Sequence, residues 1–180
     1  MASAMSGASQ SPEALIAHVP GLRRHARLLV GDVHRADDLV QDTLERACRA
    51  NERWPDASRL RVWLLSVMHI LFVDPVRTHR ALDVAAPLDD ALEAMLAARP
   101  DAARGTRIPI DLARSLMRLP LADREVLLLV CVADCAYGEA ASILGLPVGT
   151  VMSRLSRARA QLRVEMDEPP GAPPRLRQVK

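Results

Sequence analysis

The chain has 180 residues, room for one ordinary domain or two small ones, and a net charge of only +2. With 49% of its residues apolar, global disorder is excluded. Aromatics are confined to Trp54, Trp63, Phe72 and Tyr137, so Leu, Ala and Val must fill the interior, which suits packed helices better than a β-sandwich.

Taken in chain order, residues 1–10 read as a disordered N-terminus without the charged and apolar regions of a secretory signal. A first helical block spans 11–80. Ser11 as N-cap, with Pro12 and Glu13 behind it, starts a helix that Pro20-Gly21 is expected to interrupt. LRRHARLLV resumes it up to Gly31, a C-cap. Asp32 opens the next helix, where Val33, Ala36, Val40, Leu44 and Ala47 recur at spacings of three and four and share an apolar face. After the Trp54-Pro55-Asp56 turn, Ser58 is expected to cap RLRVWLLSVMHILFV, which is apolar on most sides and so central to the block.

Residues 81–107 hold Asp83, Asp89, Asp90, Glu93 and Asp101, with Pro87, Pro100 and Gly105, and read as a flexible acidic linker. A second helical block spans 108–166, punctuated by Leu119-Pro120 and by Gly145-Leu146-Pro147. Residues 167–180 read as a disordered, basic, Pro-rich tail. No stretch alternates as a strand does. The expected fold is all-α: two small helical domains joined by the linker.

Cys48, Cys131 and Cys135 form no CxxC, and no histidine lies at zinc-finger spacing from the close pair. Cys131 and Cys135 are expected to share one helical face as small buried apolar residues. An odd cysteine count without a framework, and no apolar run of membrane-spanning length, point to the cytoplasm and to no membrane contact. His18, His25, His34, His69 and His79 are scattered, with His34 and His79 expected to be exposed. Phosphate-binding glycine loops are absent. No catalytic residue, metal site or cofactor is expected, and the chain does not read as an enzyme.

YGEAASILGLPVGTVMSRLSRARAQLR has the form of a helix-turn-helix. Gly145 tolerates a left-handed turn, and Pro147 presets φ at the start of the next helix. At 100° per residue, Val151, Leu155, Ala158 and Leu162 fall within roughly 60° and form a packing face. Thr150, Ser153, Arg154, Arg157 and Gln161 fall within roughly 100° beside it. Small polar groups with arginine forks suit base edges and phosphates. Basic residues also stabilise a helix C-terminus, so a solvated face is the competing reading. Arg159 and Arg163 lie off the stripe, toward flanking phosphate or solvent.

Three stretches in series resemble bacterial RNA polymerase sigma factors of the extracytoplasmic-function (ECF) group, in the sigma-70 family. ADDLVQDTLERA resembles region 2.2, VWLLSVMHILFVDPVR regions 2.3 and 2.4, and LPLADREVLLLV with the helix-turn-helix region 4. The resemblance implies a transcription initiation factor that binds core RNA polymerase through its clamp helices and flap, recognises the −35 and −10 promoter elements, and helps open the duplex. It maps Thr150, Ser153, Arg154 and Arg157 onto the helix that enters the −35 major groove. It places His69, Ile70, Arg77 and Arg80 near the −10 element, and Asp37, Asp38, Gln41, Asp42 and Glu45 against core polymerase. Asp38, Asp42 and Glu45 share a helix face, which by itself is equally a solvated acidic surface. An anti-sigma factor is an implied partner, and the active protein would be nucleoid-associated.

Two positions depart from the family pattern. Ile70 stands where the family usually has Asn, removing a donor–acceptor group. Pro75 falls where the helix usually continues and costs about 3 kcal/mol inside one, unless Asp74-Pro75 starts a new helix. Ala136 stands where a capping Ser is expected. The departures motivate a second reading, a sigma-like adaptor or decoy that binds polymerase or an anti-sigma factor without opening promoters. A stand-alone helix-turn-helix repressor is a third, but leaves the first block unexplained.

Overall fold

The computed structural model describes residues 12–50, 54–73 and 110–167. Ser11, Pro75, Arg77, Arg80, the linker 81–107 and residues 1–10 and 168–180 of the expected disordered ends lie outside these residues; Asp167, expected in the tail, is helical. Within the described residues the fold is all-α, with seven helices and no strand: α1 Pro12–Val30, α2 Val33–Arg49, α3 Ala57–Val73, α4 Ile110–Arg118, α5 Leu121–Cys131, α6 Tyr137–Leu144 and α7 Val148–Asp167.

The first block folds as its apolar spacing requires. Asp32 caps α2, its Oδ1 accepting from Arg35 N–H at 2.8 Å, and Gly31 ends α1 at φ +77°. Of the expected face of α2, Ala36, Val40 and Ala47 are buried and Val33 and Leu44 partly so, while Leu39 and Thr43 join the buried side. Thr43 donates its hydroxyl to Leu39 C=O at 2.7 Å, and Trp54 folds back to donate Nε1–H to Ala47 C=O at 2.6 Å, so both buried polar groups are satisfied. On α3, Leu60, Leu64, Leu65 and Met68 are buried, as expected of a central helix.

Two local expectations fail here. α1 is continuous through Pro20-Gly21. The carbonyl deprived of a donor by Pro20 belongs to Ile16, on the solvent side, while Leu15, Leu22 and Ala26 are buried and hold both halves of the helix to the core. Nor does Ser58 cap α3: the Asp56 carbonyl accepts from Arg59 and Leu60 N–H, so the helix starts before Ser58.

In the second block, α7 packs against α4, α5 and α6. Arg118 on α4 pairs with Glu165 near the end of α7 at 2.9 Å. Helix α5 buries four consecutive residues, Val126 to Leu129, because it is covered on two sides. One cover is α7; the other is the first block, since α1 packs on α4 and α5, and α3 packs on α6.

The two blocks are therefore docked along one seam, in which steric fit and polar contacts both take part. Gly31 is buried against Met117, whose sulfur lies 2.6 Å from where a Cβ would stand. Arg124 donates Nη1–H to both Met117 C=O (3.1 Å) and Sδ (3.4 Å), so this methionine is fixed. Burial draws the Arg124 guanidinium below its ordinary pKa, which Glu125 opposes. Arg61 Nη2 donates to Asp134 C=O at 3.0 Å, in a turn where Asp134 takes φ +49°. His69 Nδ1 donates to Glu125 Oε1 at 3.1 Å across the seam, with both side chains largely covered.

His25 lies in the same seam, lining with Leu29, Leu65, Met68, His69, Glu125, Leu129 and Leu144 a void of about 10 Å³. Its Nδ1 has no hydrogen-bond partner among the described residues. Burial first, and the adjacent His69 second, push its pKa down to about 4, so it is neutral at pH 7. His18 is also lowered, by burial and then by Arg61. His34 is exposed, as expected; His79 lies outside the described residues.

The expectation for Cys131 and Cys135 is corrected. Helix α5 ends at Cys131, so the two do not share a helical face: Cys131 is exposed and Cys135 is buried in the following turn. Burial pushes the Cys135 thiol up to about 11.

Candidate nucleic-acid interface

Helices α6 and α7 form the helix-turn-helix. Gly145 caps α6 in the left-handed region at φ +63°, and Leu146 N–H returns to Ala141 C=O at 3.0 Å, which turns the chain sharply. Pro147 precedes the helical residues of α7, at the N-cap position, and its carbonyl accepts from Thr150 and Val151 N–H. At the start of α6 only half of a capping box forms. Glu139 Oε2 accepts from Ala136 N–H at 2.8 Å, but the Ala136 methyl has no acceptor to return. Ala136→Ser is expected to complete the box and add about 0.5–1 kcal/mol, measured as a rise in the urea midpoint.

On α7, Val151, Leu155 and Ala158 are fully buried and Leu162 partly so, as the helical projection requires. Beside them, Ser153 and Arg157 are exposed and Thr150 and Arg154 are half-buried, forming one polar stripe. The Ser153 hydroxyl donates to Thr150 C=O at 3.0 Å. Arg157 Nη2 lies 3.1 Å from Oδ1 of Asp123, which projects from the first turn of α5. Nothing local in the sequence marks Asp123, because 34 residues separate the pair.

Arg159 and Arg163 are off the stripe. With Tyr137, Met152 and Ser156 they line an open groove of about 310 Å³ on another side of α7. Arg159 Nη2 donates to Cys131 Sγ at 3.5 Å, and that contact raises the Arg159 pKa.

The remaining candidates divide. On α2, Asp38, Gln41 and Glu45 are exposed and Asp42 is half-covered, while Asp37 is turned toward α1. Its Oδ1 lies 3.8 Å from both Arg23 Nε and Arg27 Nη2, an electrostatic contact longer than a hydrogen bond. Glu45 pairs with Arg49 at 3.4 Å. On α3, Ile70 is half-exposed, whereas His69 faces Glu125 in the seam. Arg77 and Arg80 lie outside the described residues.

This arrangement has clear relatives. Residues 15–69 match the family described as the Sigma2 domain of PhyR, and residues 110–162 match Sigma-70, region 4. The chain is 35% identical over 148 residues to the ECF RNA polymerase sigma factor EcfG of Rhodopseudomonas palustris (strain TIE-1), covering 82% of this chain and 80% of that protein. It is 31% identical over 174 residues to the ECF RNA polymerase sigma factor SigC of Mycobacterium tuberculosis (strain CDC 1551 / Oshkosh), covering 91% and 89%. Among solved structures it resembles the sigma factor RpoE from Bartonella quintana, in a complex with the anti-sigma factor NepR. There the TM-score is 0.69 at 29% identity, over 87% of this chain and 97% of that one. With two matched regions in order and such identity along most of both chains, this protein belongs to the ECF RNA polymerase sigma factors, alternative sigma factors that direct RNA polymerase.

Proposed function

We propose that the chain recruits core RNA polymerase to promoters by reading a −35 element with α7 and a −10 element with the first block, and then aids opening of the duplex. One observation carries this reading: the polar stripe of Thr150, Ser153, Arg154 and Arg157 faces outward on a helix whose other face is locked into the domain by Val151, Leu155 and Ala158. Such a helix presents arginine forks to a major groove without moving its own backbone.

Asp38, Gln41, Asp42 and Glu45 form the surface for the clamp helices of polymerase, with Asp37 set back against α1. His69, Ile70, Arg77 and Arg80 serve the −10 element, and the second block meets the flap. The two promoter elements lie about 25 base pairs apart, on the order of 80 Å at 3.4 Å per step. Because His69 and Glu125 are 3.1 Å apart, the two blocks separate along their seam before both elements are engaged. An anti-sigma factor is the fitting regulatory partner, as in the RpoE–NepR complex. The protein acts in the cytoplasm, at the nucleoid, and is not an enzyme.

Run-off transcription with purified chain and core polymerase on a promoter library tests this. Promoter-specific product is expected, and Arg154→Ala or Arg157→Ala should each lower −35-dependent templates by about 10- to 100-fold, the worth of a good arginine–base contact. Absence of polymerase binding would sink the proposal. The adaptor or decoy reading is favoured by the match of residues 15–69 to a PhyR domain and by Ile70. It predicts that Ile70→Asn with Pro75→Ala brings a large gain in promoter melting. The sigma-factor reading predicts no such gain.

A further inference from the structure

The Asp123–Arg157 pair joins a covered carboxylate to an exposed guanidinium. The Asp123 side chain is 11% exposed and that of Arg157 is 67% exposed. Asp123 stands in the first turn of α5, where its N–H donates to Pro120 C=O at 3.0 Å and the helix dipole favours a negative charge. Its carboxylate is thus held by α5, while the arginine it meets lies in the middle of α7. An ion pair with so exposed a partner adds little stability. What it supplies is orientation. With Nη2 bound to Oδ1, the guanidinium plane is restricted, while its other N–H groups stay available on an exposed side chain in the same stripe as Thr150, Ser153 and Arg154.

We propose that Asp123 is a positioning residue for promoter recognition: it holds the Arg157 guanidinium so that the free N–H groups meet one base-pair edge of the −35 element. Unheld, Arg157 would sample many rotamers, most of them reaching only phosphate, and the ordering would have to occur on binding. Restraint before binding converts a general cationic contact into a base-selective one. The proposal rests on the assignment of α7 as the promoter-reading helix.

The test uses holoenzyme assembled from the full chain and core polymerase, on duplexes with a randomised −35 hexamer, reading both base enrichment and total binding. Asp123→Asn, nearly isosteric, is expected to flatten the preference at one or two adjacent −35 positions by about 5- to 20-fold. The salt slope and the melting temperature should stay close to those of the unmodified protein, outcomes a merely structural ion pair would not produce together. Asp123→Glu should restore part of the preference. Adding Asp123→Asn to Arg157→Ala should cost nothing more.

An unchanged enrichment profile in Asp123→Asn, while Arg157→Ala still alters it, overturns the positioning role alone. A uniform rise in binding of all sequences also overturns it, since Asp123 would then be competing with phosphate for Arg157. If Arg157→Ala itself leaves −35 preference intact but Arg154→Ala does not, the proposal falls and the reading of α7 survives. If neither arginine matters, that reading falls with it.

Discussion

Gly31→Ala is expected to destabilise the protein by about 2–4 kcal/mol, lowering its melting temperature by roughly 10 °C. Two separate effects add. At φ +77° an L side chain costs roughly 1–2 kcal/mol in backbone strain. The new Cβ would also stand 2.6 Å from Met117 Sδ, and that sulfur cannot swing away freely because Arg124 Nη1 donates to it and to the Met117 carbonyl. The second effect acts across the seam, so it should push the two blocks apart as well as strain α1. Combining Gly31→Ala with Met117→Ala separates the two. The double variant should keep the strain but lose the clash, and so be less destabilised than the two single changes summed, by about 1 kcal/mol or more. Strict additivity in urea unfolding would show that the sulfur contact carries no energy.

Acid should loosen the same seam through His25. Buried in the seam and without a partner for Nδ1 among the described residues, this imidazole has its pKa lowered to about 4 in the folded protein, against an ordinary value of 6.5. The unfolded chain therefore binds a proton that the folded chain refuses. Stability is fully present above pH 6.5, falls as the pH drops below it, and reaches its floor below about pH 4. The total loss is on the order of 3 kcal/mol, since each tenfold difference in proton affinity between the folded and unfolded chain is worth about 1.4 kcal/mol. The groups facing His25 are His69 on α3 and Glu125 on α5. Both belong to the seam, and the carboxylate is already engaged with His69. Between about pH 6.5 and 5, before most carboxylates titrate, unfolding free energy should drop by roughly 2 kcal/mol. His25→Leu should flatten that slope. An equal slope in the variant would assign the acid sensitivity to other groups.

Both predictions concern contacts that no local reading of the chain contains. What was legible was local. Asp32 as cap, Gly31 and Gly145 as helix ends and the buried stripe of α7 follow from side-chain oxygens, positive φ and a 3.6-residue period, which act within a few residues. The resemblance to sigma factors was legible for the same reason, since its motifs are contiguous. Local rules misled where packing outweighed them. Pro20 lies inside α1 because Leu15, Leu22 and Ala26 are buried on both sides of it. Cys131 is exposed because α5 stops there, though a continued helix would have placed it beside Cys135.

The candidate interface divides in the same way. The stripe of Thr150, Ser153, Arg154 and Arg157 is a property of one helix, so the residues of that helix were enough to set it out. Asp123, Glu125, Met117 and His25 acquire their significance only from partners on other helices: Arg157, His69, Gly31 and the covered void. The run from Val126 to Leu129 shows why. Four buried residues in succession announce that a helix is covered on more than one side, but a pattern of hydrophobicity carries no address for the cover. The order of residues was sufficient for the succession of helical segments, the family and the outward stripe of α7, but not for the continuity of α1 or the end of α5. Packing in three dimensions settled that the two blocks dock, that His69 faces Glu125 in their seam, and that a covered carboxylate holds Arg157. Such non-local contacts are chosen by shape and burial, among surfaces that exist only once the helices have packed.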